Sequence, residues 1–124
     1  MTDESAPRVL VVDDDHAVAR MLRAALTVEG FTVRVATSGE QALAEALAFL
    51  PDVVVLDLQM PVMDGRAFFH QFRQRGFQSP VIVISAWNAE KARKELGAQG
   101  SLEKPCDPSE VNRMITSVLS EGHK

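Results

Sequence analysis

The sequence contains no tyrosine, one cysteine and one tryptophan. A single thiol, Cys106, cannot form an internal disulfide, and a lone thiol suits a reducing compartment. Basic residues do not outnumber acidic ones: 13 Lys and Arg face 17 Asp and Glu, for a formal net charge of -4. That balance argues against nucleic acid or an anionic membrane as the main partner. No apolar run approaches the roughly 20 residues of a membrane-spanning helix. The segment Met1 to Pro7 is polar and acidic, without the basic-then-apolar order of a secretion signal. Internal repeats, low-complexity tracts and linkers are also missing. These absences point to a soluble, cytoplasmic, single domain over residues 1–124, with its core at about 8–120.

What is present is a regular alternation. Val9-Leu10-Val11-Val12, Val53-Val54-Val55-Leu56 and Val81-Ile82-Val83-Ile84 are unbroken runs rich in β-branched residues. Central parallel strands read this way, because both of their faces are buried. Phe31 to Val35 alternates, as an edge strand with one wet face would, and Ser101 to Glu103 around Leu102 is a weaker fifth strand. Between the runs lie helical periods: Val18, Met21, Leu22, Ala25 and Leu26, then Ala42, Leu43, Ala46, Leu47 and Leu50. Gly65, Phe68, Phe69 and Phe72 follow, then a short polar stretch with Ala92 and Leu96 inward, then Val111, Met114, Ile115, Val118 and Leu119. Asp15, Ser38, Asp64 and Asp107 or Ser109 can cap helix starts. Gly30, Pro51, Gly76 and Gly97 fall where helices should stop. Strand and helix therefore alternate five times, which predicts a parallel α/β sheet with helices on both faces. The last helix should end near Ser120, and no output domain is expected in this chain.

The polar residues follow the strands. Asp13 and Asp14 come directly after the first run, Asp57 after the second, Ser85 after the third and Lys104 after the short fifth. Ligands of open parallel sheets bind beyond the carboxyl ends of the strands. Three carboxylates, a hydroxyl and an ammonium are thus expected at one sheet edge. Carboxylates gathered so closely repel one another, so either protons or a cation must sit among them. An oxygen-only, carboxylate-rich donor set suits Mg²⁺, or Mn²⁺ in its place. Metal, lysine and hydroxyl together could neutralise a phosphoryl group, and a carboxylate can accept one as an aspartyl phosphate.

Four stretches resemble those of response-regulator receiver domains in order and spacing, and the resemblance extends over nearly the whole chain. They are Val11-Val12-Asp13-Asp14-Asp15; Pro51-Asp52 with Val55-Leu56-Asp57-Leu58-Gln59-Met60-Pro61 and Asp64-Gly65; Ile84-Ser85-Ala86; and Lys104-Pro105. The resemblance implies a flavodoxin-like sheet of order 2-1-3-4-5 and a phosphoacceptor at Asp57. It implies Mg²⁺ held by Asp14, Asp57 and the backbone carbonyl of Gln59, with Asp13 acting mainly through a metal-bound water. Ser85 would hydrogen-bond the phosphoryl group, Lys104 would pair with it, and Lys104-Pro105 would be a cis peptide. The implied partners are a sensor histidine kinase or a histidine phosphotransfer protein as donor, and a downstream protein target. Direct nucleic-acid and membrane contacts are not expected, while a phosphorylation-dependent homodimer stays open. The protein would catalyse only its own modification, so it is not read as an enzyme.

Three departures from the family pattern stand out. Ser101 occupies the position of a switching aromatic three residues before the lysine. The interval from Ser85 to Lys104 is about three residues short, so the fourth helix should lose most of a turn. Trp87, two residues after Ser85, is expected to shield an Asp57 phosphate from water, though packing and partner-surface roles are also open. The first two departures motivate an alternative, a receiver-fold binding module that switches weakly. A metal-dependent aspartyl-phosphate phosphatase is a poorer fit, because that class usually carries a second aspartate where this chain has Gln59. Asp15 is read as a helix cap outside the metal site, His16 as an exposed helix-start residue, and Cys106 as a half-buried thiol without a redox role.

Overall fold

A computed structural model describes residues 6–60 and 64–122. Pro61 of the second motif, the N-terminal Met1 to Ser5 and the last two residues lie outside them. The elements are β1 (Arg8–Val12), α1 (His16–Val28), β2 (Thr32–Ala36), α2 (Gly39–Phe49) and β3 (Val53–Asp57). They continue with α3 (Gly65–Gln74), β4 (Val81–Ser85), α4 (Ala89–Leu96), β5 (Gly100–Glu103) and α5 (Pro108–Gly122). All strand pairs are parallel, in the order β2-β1-β3-β4-β5. The expected α/β fold and strand order are therefore present.

Every residue of β3 and β4 is buried, whereas the edge strand β2 buries only Ala36 fully. The sheet divides the core into two layers. One carries Leu10, Val54, Leu56 and Val83 against α2, α3 and α4 residues such as Phe68 and Phe72. The other carries Val9, Val11, Val55 and Ile82 against Leu22 and Leu26 of α1 and Val111 and Ile115 of α5. Successive strand residues thus point to opposite layers, and both are apolar, which is why these runs are unbroken.

Three inward assignments need correction. Met21, Leu47 and Leu50 are exposed, while Ala19 and Phe49 are buried in their place. In α1 the inner stripe runs through Ala19, Leu22 and Leu26, leaving Met21 at its margin. In α2 the stripe runs on through Ala46 to Phe49, and Arg34 lies over the Phe49 ring at 5.0 Å. Leu50 is the C-cap in a left-handed conformation (φ 53), so its side chain leaves the helical stripe. α5 continues to Gly122, slightly past the expected stop. The caps are as expected: Asp15, Ser38 and Asp64 each accept N–H groups of the first helical turn, and Asp107 rather than Ser109 accepts from Glu110.

Candidate functional site

Four of the five strands, β1, β3, β4 and β5, end at the polar residues singled out in the sequence. Because the chain exits all strands at the same edge, residues far apart in sequence are delivered to one place. One carboxylate oxygen from each of Asp13, Asp14 and Asp57 lies within 4.8 Å of the others. Asp13, Asp57 and Ser85 are the only buried polar side chains among the described residues, at 4, 2 and 6% exposure. Burying charge is costly unless it is paired, so their concentration at this edge makes it the candidate site.

The hydrogen bonds hold Asp57 on both sides. Its Oδ1 accepts the Gln59 backbone N–H at 2.9 Å, and its Oδ2 faces the Lys104 ammonium at 3.1 Å. Asp13 accepts the Asp15 N–H at 2.9 Å, while Asp15 turns its own carboxylate to the N–H groups of Ala17 and Val18. Asp15 is therefore a cap, as expected. One ammonium does not balance three ionised carboxylates. The Asp13 carboxyl responds: burial first, then the neighbouring Asp57 charge, push it up to about 6 against the opposing Asp15 bond and Lys104 charge. A divalent cation would relieve the same repulsion, and the oxygen-only donor set fits Mg²⁺.

The neighbouring loops are tied to this centre. Lys104 N–H donates to the Ser85 carbonyl at 2.9 Å, and the Lys104-Pro105 peptide is cis, as the resemblance implied. The Ser85 hydroxyl donates to the Trp87 carbonyl at 3.0 Å. Gly65 starts α3 against β3: a Cβ there would lie 2.6 Å from the Asp57 carbonyl oxygen and from Leu58 Cα. Only glycine lets the helix start approach the Asp57 backbone this closely. A cleft of about 480 Å³ opens beside the carboxylates between α1 and the loop after β5, where Met21 and Cys106 line it with Asp13 and Lys104. Burial pushes the half-buried Cys106 thiol up, consistent with an unreactive group.

Two connections went unseen in the sequence. The Gln59 side-chain oxygen accepts the Ala86 N–H at 3.2 Å, tying the loop after β3 to the loop after β4. Ser101 donates to Glu90 Oε1 at 2.8 Å, and Arg93 Nε donates to the same oxygen at 2.9 Å. Hydrogen bonds from Arg93 first, then Ser101, hold the Glu90 carboxyl down at about 2. Where an aromatic was expected by resemblance, a polar clamp joins α4 to β5. α4 itself has eight residues, short as expected. Trp87 is 75% exposed, which excludes a core-packing role.

The family described as the response regulator receiver domain matches residues 9–116. The alkaline phosphatase synthesis transcriptional regulatory protein PhoP of Bacillus subtilis is 35% identical over 115 residues, covering 90% of this chain and 48% of its own length. The transcriptional regulatory protein PrrA of Mycobacterium leprae is 39% identical over 121 residues, covering 95% and 52%. The chain thus spans about half the length of the curated relatives it matches. Among solved structures, the chemotaxis protein CheY4 of Vibrio cholerae superposes with a TM-score of 0.86 at 29% identity, over 92% of this chain and 99% of the other.

Proposed function

Since this chain belongs to the response regulator receiver domain family, we propose that it accepts a phosphoryl group on Asp57 from a phosphohistidine of a sensor kinase or phosphotransfer protein. The observation that carries this reading is the buried Asp57 carboxylate, 3.1 Å from the Lys104 ammonium and clustered with Asp13 and Asp14. An Asp57 carboxylate oxygen forms a bond to phosphorus as the donor's nitrogen–phosphorus bond breaks. The electron pair leaves with the imidazole nitrogen, which takes up a proton. Lys104 offsets the charge added at Asp57, and Ser85 donates its hydroxyl hydrogen bond to the phosphoryl oxygens. Asp13, Asp14, Asp57 and the Gln59 backbone carbonyl would hold Mg²⁺, which when bound neutralises negative charge on the transferring group.

The protein thereby catalyses only its own modification and acts by presenting an altered surface to a downstream protein or to a second copy of itself. The receiver domain is proposed over residues 1–124 of this chain, with its core at about 8–120. No helix among the described residues is long and apolar enough to cross a membrane, and a cytoplasmic site of action is proposed. The two named relatives are transcriptional regulators. The net charge of -4 favours protein over nucleic acid as the direct partner of this chain. The Glu90–Ser101 clamp favours a second reading, a binding module whose surface responds weakly to phosphorylation.

Intact mass after incubation with acetyl phosphate tests the chemistry. A single phosphoryl adduct is expected with Mg²⁺, and none with chelator or in Asp57→Asn. An adduct persisting in Asp57→Asn would overturn the assignment. An adduct that leaves all partner affinities unchanged would select the second reading.

A further inference from the structure

α1 holds no acidic residue, although the chain carries a net charge of -4. Arg20 and Arg23 stand three positions apart in it, and His16 lies one turn before Arg20. At about 100° per residue the three form a stripe along one side of the helix. That stripe borders a groove of about 350 Å³ between α1 and the end of β2, lined by His16, Ala19, Arg20, Arg23, Val35 and Thr37. No carboxylate lines it. Arg20 and Arg23 are exposed, and their guanidinium groups form no ion pair or hydrogen bond among the described residues. Like charges at this spacing repel, so an anion held between them relieves the helix. The neighbouring cation of β2, Arg34, is already paired with Glu45 of α2. The Thr37 hydroxyl donates to Gln41 Oε1 at 3.1 Å, which leaves the guanidinium and imidazole groups as the free donors of the groove. Buried Ala19 and half-buried Val35 supply apolar lining beside them. Acidic residues bound α1 at both ends, Asp14 and Asp15 before His16 and Glu29 after Val28.

We propose that this groove binds a small phosphate monoester, at a site separate from Asp57. A phosphate monoester carries about two negative charges at pH 7, which two guanidinium groups match, whereas a carboxylate carries one. Each guanidinium presents a planar fork of donors that meets phosphate oxygens in pairs. Residues three apart on a helix face have Cβ atoms about 5–6 Å apart, close enough for two long side chains to share one anion. Ala19 and Val35 then offer the ester group an apolar contact. The volume limits the ligand's size, because about 350 Å³ lies at the low end of the roughly 300–1,000 Å³ of small-molecule sites. An extended polyanion fits poorly. Nucleic acid is held through roughly 6–10 phosphate contacts and an anionic membrane through about 4–8 basic groups, against two arginines here. A long anionic chain would also run onto Asp14 and Asp15 at one end of α1 or Glu29 at the other. The site is distinct from the phosphoacceptor, since neither Asp57 nor its partner Lys104 lines the groove.

Titration of the isotope-labelled chain with phenyl phosphate in EDTA, followed by NMR, tests the site. Saturable shifts are expected at the amides of residues 16–23 and 35–37 and at the Arg20 and Arg23 side-chain N–H groups. Arg20→Gln/Arg23→Gln should bind about tenfold more weakly or worse, since it removes two charge-assisted contacts. Both side chains are exposed and unpaired, so the variant should keep the wild-type melting temperature. Inorganic phosphate should give the same map at lower affinity, because it lacks the apolar group. Shifts centred on Asp57, Ser85 and Lys104 instead would overturn the groove as a site, as would unchanged affinity in the double variant. Equal binding of phenyl sulfate, a monoanion of the same shape, or of succinate, a dicarboxylate, would overturn the assignment to phosphate monoesters. Binding should also survive in Asp57→Asn, and its loss there would overturn the separation of the two sites.

Discussion

Replacing Asp13 by Asn should make the metal-free protein more stable while removing much of its response to Mg²⁺. Asp13 is 4% exposed, and its carboxyl is displaced from 3.8 to about 6, chiefly by burial. At 1.36 kcal/mol per unit, roughly two units set a ceiling of about 3 kcal/mol on the cost of ionising it in the folded state. Water in the adjoining cleft screens the charge, which reduces the expected gain to about 1–2 kcal/mol. For a domain of this size that corresponds to a melting-temperature rise of roughly 3–10 °C. An asparagine oxygen can still accept the Asp15 N–H, so the local backbone bond survives. The sign with pH follows from linkage. A carboxyl whose folded pKa is raised holds its proton more tightly when folded, so stability falls as pH rises from about 4 to 6. The advantage of Asp13→Asn should therefore be full at pH 7 and shrink toward zero near pH 4. Thermal melts over this range in EDTA read the gap. Repeating them with MgCl₂ should raise the wild type more than the variant, since a ligand binding only the folded state adds stability by mass action. Equal melting temperatures at pH 7 in EDTA, or a gap of the same size at pH 4, would refute the electrostatic argument.

Other perturbations follow from the same geometry. Gly65→Ala places a methyl 2.6 Å from backbone atoms of Asp57 and Leu58. It should cost about 1–3 kcal/mol and slow acetyl-phosphate labelling; an unchanged melting temperature would show that α3 can retreat freely. Phe72→Ala removes a fully buried ring stacked on Phe77 at 4.6 Å and on Phe68 at 5.3 Å. Denaturant titration should show a loss of about 3–5 kcal/mol, and a loss under 1 kcal/mol would mean the layer collapses to fill the space. Trp87→Ala is expected to lose its aspartyl phosphate faster than wild type, measured as decay of the mass adduct after donor removal. A wild-type decay rate would eliminate the shielding role of the indole and leave only its place on the surface.

Much of this molecule is written locally. Val9–Val12, Val53–Leu56 and Val81–Ile84 are unbroken because both faces of a central parallel strand are covered, and that requirement is visible as composition alone. The caps at Asp15, Ser38 and Asp64 need only the residue type and the start of a period. The site was legible for a related reason: a polar residue directly after a buried strand has to emerge at the sheet edge. Asp13, Asp14, Asp57, Ser85 and Lys104 are thus grouped by strand-end position alone.

Other features depend on direction and depth, which a linear pattern does not carry. Leu50 fits the helical period but turns away at a left-handed cap, and Phe49 takes the buried place. Asp13 and Asp14 are adjacent acids after the same strand, yet only Asp13 is buried, and that burial pushes its carboxyl up to about 6. Glu90 and Ser101 are eleven positions apart on different elements. Nothing in either residue's neighbourhood signals that they bond. The elements, the sheet edge and the polar groups gathered there were legible in the sequence, because period and strand-end position are local properties. The tertiary structure alone decided which groups are desolvated, which charges are cancelled by a distant partner and that Trp87 stands in solvent. Burial and pairing are sums over neighbours brought together only by packing.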